Sequence, residues 1–386
     1  MKLAIVGGAL QGMEAVYLSK KAGYSTVVID RRKEAPAGYL ADRFEHCDVV
    51  KEPEKAKEIF SKCDAVIPAV EELDALETLD RIVPECGIPF LFDLESYRIS
   101  CSKEKSNELM ASIGVPLPQP WPECGFPIIV KPSSQSGSIG VSVANNEEER
   151  QKGLKAIEKL GDTPIQQEFV SGKSVSVEVI GNGKTARGYI TTEVVLDYNY
   201  DCKQVICEPG ILSPEEDRQF AQIGADIGAR LGLKALMDVE AIRTKKGLRV
   251  LEIDARIPSQ TPAAICAATG INLLEELVCS AMGKESGKVS TGKCSIYEHY
   301  HILNGALFTC GEKEFGHVTR PYLDRDFFGA DEAITDYSPD KSEWWATIIN
   351  HGDTMSEVLA KRREFITNVM RDLELEEFID KSPEML

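Results

Sequence analysis

The first 100 residues alternate between short apolar runs and longer amphipathic stretches. The runs LAIVGG, STVVID, AVIPAV and IPFLFD are typical of buried strands, and residues 10–22 have the periodicity of an amphipathic helix. Strands that alternate with helices in this way predict a parallel sheet covered by helices on both faces. We therefore predict an α/β domain with a parallel sheet over residues 1–100.

A glycine-rich loop, GGALQG at residues 7–12, follows the first of these runs, and Asp30 ends the second. This spacing is similar to that of dinucleotide-binding loops. However, Ala9 stands where such a loop needs a glycine so that the backbone can approach a pyrophosphate. An NAD-linked dehydrogenase is therefore a disfavoured alternative, and a lack of nicotinamide-dependent absorbance change would exclude it.

A second region begins near Ser102. This serine is suited to cap the start of a helix, and Gly114 is suited to cap the end of the same helix. The run PIIVK then predicts a short buried strand, and SVSVEVIGNG and ARGYITTEVV predict two more. Further helices are predicted at residues 214–231 and 273–282, with another at about 355–373 after a change of pattern near residue 288.

Acidic and apolar residues alternate along two adjacent stretches, LMDVEAIRT and LRVLEIDAR, which predicts two half-buried strands. Residues 245–247 suit a three-residue hairpin loop that contains a glycine. In that register Thr244 faces Leu248. A two-residue loop would instead put Glu240 opposite Leu251 and mix a charge into an apolar row.

The favoured register places four carboxylates on one patch. Glu240 faces Glu252, Asp238 faces Asp254, and Arg256 follows on the same face. Facing like charges destabilise a sheet, and a hard cation with oxygen ligands would compensate them. A single acid on a strand more often faces water, but two facing pairs followed by an arginine favour a metal site.

Two lysines and a loop of small residues precede this patch. Lys103 begins a helix, Lys131 ends the strand PIIVK, and residues 133–140 read SSQSGSIG. The hydroxyls and backbone N–H groups of such a loop suit a phosphate chain, and lysines neutralise phosphate oxygens as point charges. The loop does not match GxxxxGK[ST], which excludes a P-loop NTPase.

This order of features resembles the ATP-grasp superfamily over roughly residues 1–285. SKEKSNELMASIGVP and FPIIVKPSSQSGSIGV resemble its two lysine motifs and lid, and IQQEFVSGKSVSVEV resembles the hinge that contacts adenine. Ser174 stands where many members have an acid that contacts the ribose. The resemblance implies ATP and Mg²⁺ as cofactors, with ATP bound by Lys103, Lys131, Ser133, Ser134, Ser136, Gly137, Ser138, Gln167, Glu168, Phe169, Val170 and Ser174.

The motifs DVEAI and LEIDAR resemble the metal-binding strands of the superfamily. This resemblance implies that Glu240, Glu252 and Asp254 bind Mg²⁺. Most members carry asparagine at the Asp254 position, so the cation site here is more anionic than usual. It also implies that Arg256, which would steady an acyl phosphate, and Lys131 are the catalytic residues.

Within the superfamily, GGALQGMEAVYLSKKAG and the pairing of KPSSQSGSIGVSV with EIDARIPSQTP are most similar to the ligases that join 3-methylornithine to lysine in pyrrolysine biosynthesis. In such ligases ATP phosphorylates a carboxylate, and an amine then displaces the phosphate. A purine-pathway or biotin-type carboxylase is the alternative enzyme, with bicarbonate-dependent ATPase activity as its mark. A non-catalytic nucleotide-binding regulator, which would release no ADP, is the alternative outside the enzymes.

The substrates of such a ligase, 3-methylornithine and lysine, each carry two amines and need fixed negative groups. Glu71 follows the run AVIPAV, and ligands gather at the carboxyl ends of strands in an open parallel sheet. An acid at a helix N-terminus is an equally good interpretation of the neighbouring acids. We assign substrate binding to Gln11, Glu71, Arg256 and Ser259.

The predicted fold class is thus α/β, an ATP-grasp fold in three parts. Residues 1–100 form a Rossmann-like domain. Residues 101–287 form the nucleotide-binding region of two α+β subdomains, of which the lid subdomain spans about 115–172, and residues 288–386 form a C-terminal α+β portion.

Composition and charge further restrict the classes of molecule that the protein is expected to bind. The chain of 386 residues has 44 basic and 62 acidic residues, a net charge of −18, and 11 cysteines. This balance disfavours nucleic acid and anionic membranes, which reward basic surfaces. The N-terminus lacks a signal-peptide cleavage site and no apolar run is long enough to cross a bilayer, so we expect a cytoplasmic protein with reduced thiols. We also allow for a homodimer.

Overall fold

The computed structural model of the protein describes residues 1–135, 137, 139–284, 286–288 and 290–382. Two predicted ATP-binding residues, Ser136 and Ser138, lie outside the described residues. The elements of the first region are β1 (Lys2–Val6), α1 (Leu10–Lys21), β2 (Ser25–Asp30), α2 (Pro36–Leu40), β3 (Arg43–His46), α3 (Pro53–Phe60), β4 (Ala65–Pro68), α4 (Leu73–Glu85) and α5 (Leu94–Ser100).

The strands of the first region form the predicted parallel sheet, in the order β3-β2-β1-β4. One predicted strand is wrong: IPFLFD forms only a single bridge between Phe90 and Val66. The chain leaves the sheet there because Asp93 caps α5 by accepting a hydrogen bond from the Ser96 N–H. The strand β3 was not predicted, since its four residues, RFEH, contain no apolar run.

The elements of the second region are α6 (Lys103–Ser112), β5 (Ile128–Pro132), β6 (Ser142–Ala144), α7 (Glu147–Leu160) and β7 (Pro164–Glu168). The three strands form a small antiparallel sheet in the order β6-β5-β7. The helix α7 packs against this sheet, and its buried Ile157 joins Ile128 and Val130 of the sheet in a small core.

The rest of the chain builds one large sheet with helices on it. Its elements are β8 (Lys173–Gly181), β9 (Ala186–Leu196), β10 (Cys202–Cys207), α8 (Pro214–Leu231), β11 (Leu236–Thr244), β12 (Gly247–Asp254), α9 (Thr261–Thr269), α10 (Leu273–Ala281), β13 (Cys294–Leu303), β14 (Ala306–Thr309), α11 (Glu312–Phe315), β15 (Tyr322–Phe327), β16 (Ala330–Thr335), β17 (Trp344–Gly352), α12 (Met355–Asp372) and β18 (Glu377–Ile379).

The strand order of the large sheet is β12-β11-β8-β9-β10-β13-β17-β16-β15, and β14 pairs with β13 and β18. The antiparallel pair β10–β13 therefore joins the strands after residue 287 to the sheet that carries the acidic hairpin. As a result, residues from the last third of the chain belong to the same sheet as the acidic hairpin.

The largest hydrophobic core fastens the first region to the large sheet. Leu18 of α1 packs in one cluster with Ile265 of α9, Leu277 of α10 and Tyr297 of β13, all nearly or fully buried. Burial of each such side chain stabilises the fold by about 1.5–3 kcal/mol. The first region and the large sheet are therefore held together by a shared core.

In the described part of the chain, no single helix is both long enough and apolar enough to span a membrane. The pair Thr261–Thr269 and Leu273–Ala281 passes that test only when taken together, and it is bent by 98° at its break.

Candidate active site

The acidic hairpin forms with the predicted acid pairs. β11 and β12 are antiparallel, with Asp238 opposite Asp254 and Glu240 opposite Glu252. Side chains on directly opposite residues of adjacent strands lie on the same face of the sheet. The four carboxylates thus share one patch at the edge strand of the large sheet, as the alternation predicted.

The turn of the hairpin is shorter than predicted. Thr244 pairs with Gly247, so the loop contains two residues, and the prediction that Thr244 faces Leu248 was wrong. A two-residue loop would put Glu240 opposite Leu251, but the register shifts by one residue at this point. The extra residue is accommodated as a β-bulge in the strand instead of in the loop, and the bulge restores the acid pairs.

Burial raises the pKa of three acids on this patch, Asp238, Glu240 and Asp254, and the charges of neighbouring acids add to the effect. Burial, together with the charges of Glu252 and Asp254, raises the pKa of Glu240 to about 8. Burial raises the pKa of Asp254 to about 6, although Arg256 opposes the change. Burial and neighbouring negative charges both disfavour the ionised carboxylates, and a cation bound on the patch would offset both effects.

Two lysines neutralise Glu252, the fourth acid of the patch. The Lys103 Nζ atom lies 2.9 Å from Glu252 Oε2 and donates a hydrogen bond of 2.9 Å to the Gln135 carbonyl. Lys131 is only 6% exposed, and its Nζ atom donates to the Leu251 carbonyl at 3.4 Å. Burial would raise the pKa of Glu252, but the two lysines outweigh it and hold the pKa below its ordinary value.

The two serines at the start of the predicted lid loop, residues 133–140, hold that loop to α6 and to Asp162. The Glu104 N–H donates to Ser133 Oγ at 3.2 Å, at the start of α6. Ser134 Oγ donates to Asp162 Oδ2 at 2.5 Å. These contacts place the beginning of the loop beside Lys103, and they engage both hydroxyls with protein partners.

The predicted adenine hinge, residues 167–170, links β7 to β8. Backbone hydrogen bonds fix it: the Glu168 N–H donates to the Gln119 carbonyl at 2.8 Å, and the Phe169 N–H donates to the Pro127 carbonyl at 3.1 Å. Ser174 is the second residue of β8. No hydrogen bond between Ser174 and another candidate residue is seen within the described ranges.

Three of the four predicted substrate residues meet beside the acidic patch. Arg256 Nε lies 2.7 Å from Asp254 Oδ2 and 3.3 Å from Glu71 Oε1. Gln11 Nε2 donates to the same Glu71 oxygen at 3.0 Å. Burial lowers the pKa of Arg256, but Asp254 and Glu71 together raise it above its ordinary value. The guanidinium is therefore charged and bridges the patch and the first region.

A cleft of about 490 Å³ opens beside this arginine, between the first region and α11. Ser259, the fourth predicted residue, lines it and donates from Oγ to Glu312 Oε2 at 2.7 Å. Lys313, also on the cleft, donates from Nζ to the Gly137 carbonyl of the loop. Glu312 and Lys313 were missed, because they lie on a helix of four residues that shows no periodicity.

The glycine-rich loop of the first region uses its acid internally. Asp30 is 8% exposed, and its Oδ2 atom accepts a hydrogen bond of 2.7 Å from the Gly8 N–H. Arg32 lies 3.1 Å from the same oxygen. The carboxylate that would contact a ribose in a dinucleotide-binding protein therefore holds the loop to β2.

Known families and relatives match the regions that build this site. The ATP-grasp domain family matches residues 102–260, and the PylC-like N-terminal domain family matches residues 3–91. The 3-methyl-D-ornithine–L-lysine ligase of Methanosarcina acetivorans is 41% identical over 315 residues, which cover 81% of this chain and 83% of the relative. The ligase of the same name from Methanosarcina barkeri is 42% identical over 314 residues, with the same coverage.

The chain belongs to the family of 3-methyl-D-ornithine–L-lysine ligases. As a member of this family it is an ATP-grasp ligase, and the predicted ATP-grasp fold is confirmed. The predicted link to pyrrolysine biosynthesis is likewise confirmed at the level of the family. Enzymes with an ATP-grasp domain use ATP and Mg²⁺ in general.

A solved structure of a different enzyme has the same fold as this chain. The biotin carboxylase domain of a Hydrogenobacter thermophilus 2-oxoglutarate carboxylase, determined with MgADP, ADP and bicarbonate, matches with a TM-score of 0.72. The match covers 95% of this chain and 89% of that one at 17% identity, so it shows the fold alone. The carboxylase alternative is therefore not favoured over the ligase.

Proposed function

We propose that the protein forms an amide between the carboxylate of 3-methylornithine and the side-chain amine of lysine, at the expense of ATP. Membership of the ligase family over most of the chain carries this proposal. A carboxylate oxygen attacks the γ-phosphorus of ATP, and ADP leaves. The deprotonated amine then attacks the acyl carbon, and phosphate departs with the electron pair of the broken C–O bond.

Lys103 and Lys131 would bind the phosphates of ATP. Lys103 pairs with Glu252 on the acidic patch, and the charge of Lys131 also acts on Glu252. The burial of Lys131 lowers its pKa and strengthens its interactions with any charged partner. Transfer of a phosphoryl group depends on positioning and charge neutralisation more than on covalent help. We assign the adenine to residues 167–170, and the ribose to Ser174 on the adjacent strand.

Glu240, Glu252 and Asp254 would hold Mg²⁺. In the described part of the chain, no three Asp, Glu, His or Cys side chains converge as a complete ligand set. Mg²⁺ usually takes one or two carboxylates and completes its shell with phosphate oxygens and water, so the hairpin fits the ion. Burial and the charges of Glu252 and Asp254 raise the pKa of Glu240, and a bound cation would offset both effects, which supports the same assignment. When bound, Mg²⁺ neutralises charge on the phosphate oxygens.

Arg256 would steady the carboxylate that is activated and the acyl phosphate that forms from it. Its guanidinium lies between Asp254 on the patch and Glu71 in the cleft, where the nucleotide and the amino acid would meet. A planar guanidinium offers several donors to carboxylate and phosphate oxygens. The loop at residues 133–140 would exclude water from the acyl phosphate.

The three predicted regions would then divide the work. Residues 1–100 would bind an amino acid through Gln11 and Glu71, and residues 101–287 would bind ATP and the metal ion. Residues 288–386 would complete the cleft through α11, whose Glu312 and Lys313 line it together with Glu71.

The experiment is to measure ADP release with amino acids supplied singly and in pairs, followed by mass analysis of the product. We expect 3-methyl-D-ornithine plus lysine to release ADP and to give a product condensed with loss of water. If the pair releases no more ADP than either amino acid alone, the proposal is wrong. ADP release that depends on bicarbonate would indicate a carboxylase, and no release with any addition would indicate a regulator.

A further inference from the structure

The last third of the chain contributes one carboxylate to the cleft. Glu312 lines the cleft together with Arg256, Ser259 and Glu71. Its Oε2 atom accepts two hydrogen bonds, from Ser259 Oγ at 2.7 Å and from Gln260 Nε2 at 3.0 Å. Both donors bind the same oxygen, so they orient the carboxylate about that atom.

The scaffold beneath Glu312 is tightly held. Gln260 is 2% exposed and adopts a φ of 86°, which a side chain other than glycine rarely takes. Such a conformation costs on the order of 1–3 kcal/mol and persists only where the surroundings fix it. The side-chain amide is fixed at both ends, because its Oε1 atom accepts a hydrogen bond from Cys202 Sγ at 2.7 Å.

The second oxygen of Glu312 remains available to a ligand. Over residues 1–135, 137, 139–284, 286–288 and 290–382, no donor binds Oε1. The neighbouring Lys313 does not neutralise it, since the Lys313 Nζ atom donates to the Gly137 carbonyl and its N–H donates to Asp201 Oδ2 at 2.9 Å. A carboxylate that is oriented by neutral donors and lines a cleft is suited to bind a cation.

Glu71 and Glu312 differ in their distance from the arginine. Glu71 lies 3.3 Å from Arg256, whereas no ion pair within 4.0 Å joins Arg256 to Glu312 in the described structure. If Arg256 binds the carboxylate of an amino acid, the α-ammonium group is attached to the next carbon and falls beside Glu71. The side-chain ammonium group, several carbons further along, then requires an acceptor beyond Glu71.

We propose that Glu312 binds the side-chain ammonium group of the amino acid whose carboxylate is activated, and thereby selects a diamino acid. This assignment rests on the proposed function. Glu312 is half-buried, and removal of such a charge partner weakens binding of the cation more than binding of an uncharged analogue, so Glu312 would determine specificity.

The test compares two substrates in two proteins. One substrate is 3-methyl-D-ornithine, and the other is 2-amino-3-methylpentanoate of the same configuration, which lacks only the side-chain amine. The ratio of their kcat/KM values is measured from ADP release with lysine present, for the wild type and for Glu312→Gln. We expect the wild type to prefer the diamino acid, and Glu312→Gln to lower that preference at least about tenfold while KM for ATP stays unchanged.

Two further variants separate this role from a structural one. Glu314→Gln makes the same change on the same helix. Glu314 does not line the cleft but binds His301 at 2.6 Å and Lys381 at 3.0 Å, so this variant should prefer the diamino acid as strongly as the wild type does. Ser259→Ala removes one donor to Glu312 and should lower the preference by a smaller factor.

Wild-type preference in both Glu312→Gln and Ser259→Ala would overturn the assignment. A wild type that releases no ADP with 3-methyl-D-ornithine plus lysine would overturn the proposed function itself, and the assignment with it. The same assay therefore distinguishes the two failures.

Discussion

Glu14, a buried acid that links α1 of the first region to α9, should make the stability of the protein depend on pH. Glu14 of α1 is 2% exposed, and its Oε1 atom accepts a hydrogen bond of 2.8 Å from the Ala263 N–H at the start of α9. Its Oε2 atom has no hydrogen-bond partner among the described residues. Burial raises the pKa of Glu14 to about 8 from an ordinary value of 4.5. The folded protein thus holds a proton there at pH 7 that the unfolded chain releases.

The size and sign of the effect follow from the shift in the pKa of Glu14. Between pH 4.5 and about 8 the folded state binds one more proton than the unfolded state. The free energy of unfolding therefore falls by about 1.4 kcal/mol for each pH unit, so the contribution is complete below pH 4.5 and lost as pH rises through 8. At pH 7 the buried Glu14 lowers the free energy of unfolding by about 3 kcal/mol relative to its value below pH 4.5.

The substitution Glu14→Gln keeps an acceptor oxygen for Ala263 and removes the titration. We expect urea unfolding to show that the wild type loses about 2–3 kcal/mol more than the variant between pH 5.5 and pH 7.5. Glu58→Gln, at an exposed position of α3, serves as the control and should run parallel to the wild type. Parallel curves for Glu14→Gln and the wild type would refute the reasoning, because they would mean that the buried carboxyl group is ionised.

Three further predictions concern the site itself. Glu252→Gln should lower kcat for ADP release by roughly 10²–10³-fold without unfolding the protein, because relief of the facing charge of Glu240 offsets the lost ion pair with Lys103, and wild-type turnover would remove Glu252 from the site. Glu71→Gln should raise KM for one amino acid and leave KM for ATP unchanged; two unchanged values would leave Glu71 with the role of holding Arg256 alone. Lys131→Met should weaken ATP binding, measured by calorimetry, by about tenfold to a hundredfold, and an affinity equal to that of the wild type would contradict the assignment.

The acidic hairpin could be predicted because local pattern and tertiary structure agree there. A strand that is buried on one face alternates with a period of two, and cross-strand pairing follows once the register is known. The pairs of Glu240 with Glu252 and Asp238 with Asp254 came out correctly even though the loop length was wrong. Burying the apolar row on one face outweighs the preference of the turn, so the strand absorbs the extra residue at Leu251 as a bulge.

The run IPFLFD shows the opposite case, in which apolar composition alone misleads. Its residues are half-buried or buried beside β4, and the Leu91 N–H donates to the Val66 carbonyl at 2.8 Å, so the run packs as a strand would. The chain then enters α5 at Leu94. Hydrophobic runs report burial, whereas a strand also needs several successive hydrogen bonds to a neighbour.

Glu312 could not be predicted from any local pattern, because its position is set by contacts far apart in the chain. Ser259 Oγ, 53 residues earlier, orients its carboxylate, and Asp201 holds the start of α11 through the Lys313 N–H. Gly311 is required there, since a Cβ atom would lie 2.2 Å from Asp201 Oδ2. The groups proposed for phosphate chemistry lie on regular strands with a readable period, and the group proposed to select the amino acid lies on a one-turn helix. Changes of substrate in this family should therefore arise at α11 without disturbing the hairpin.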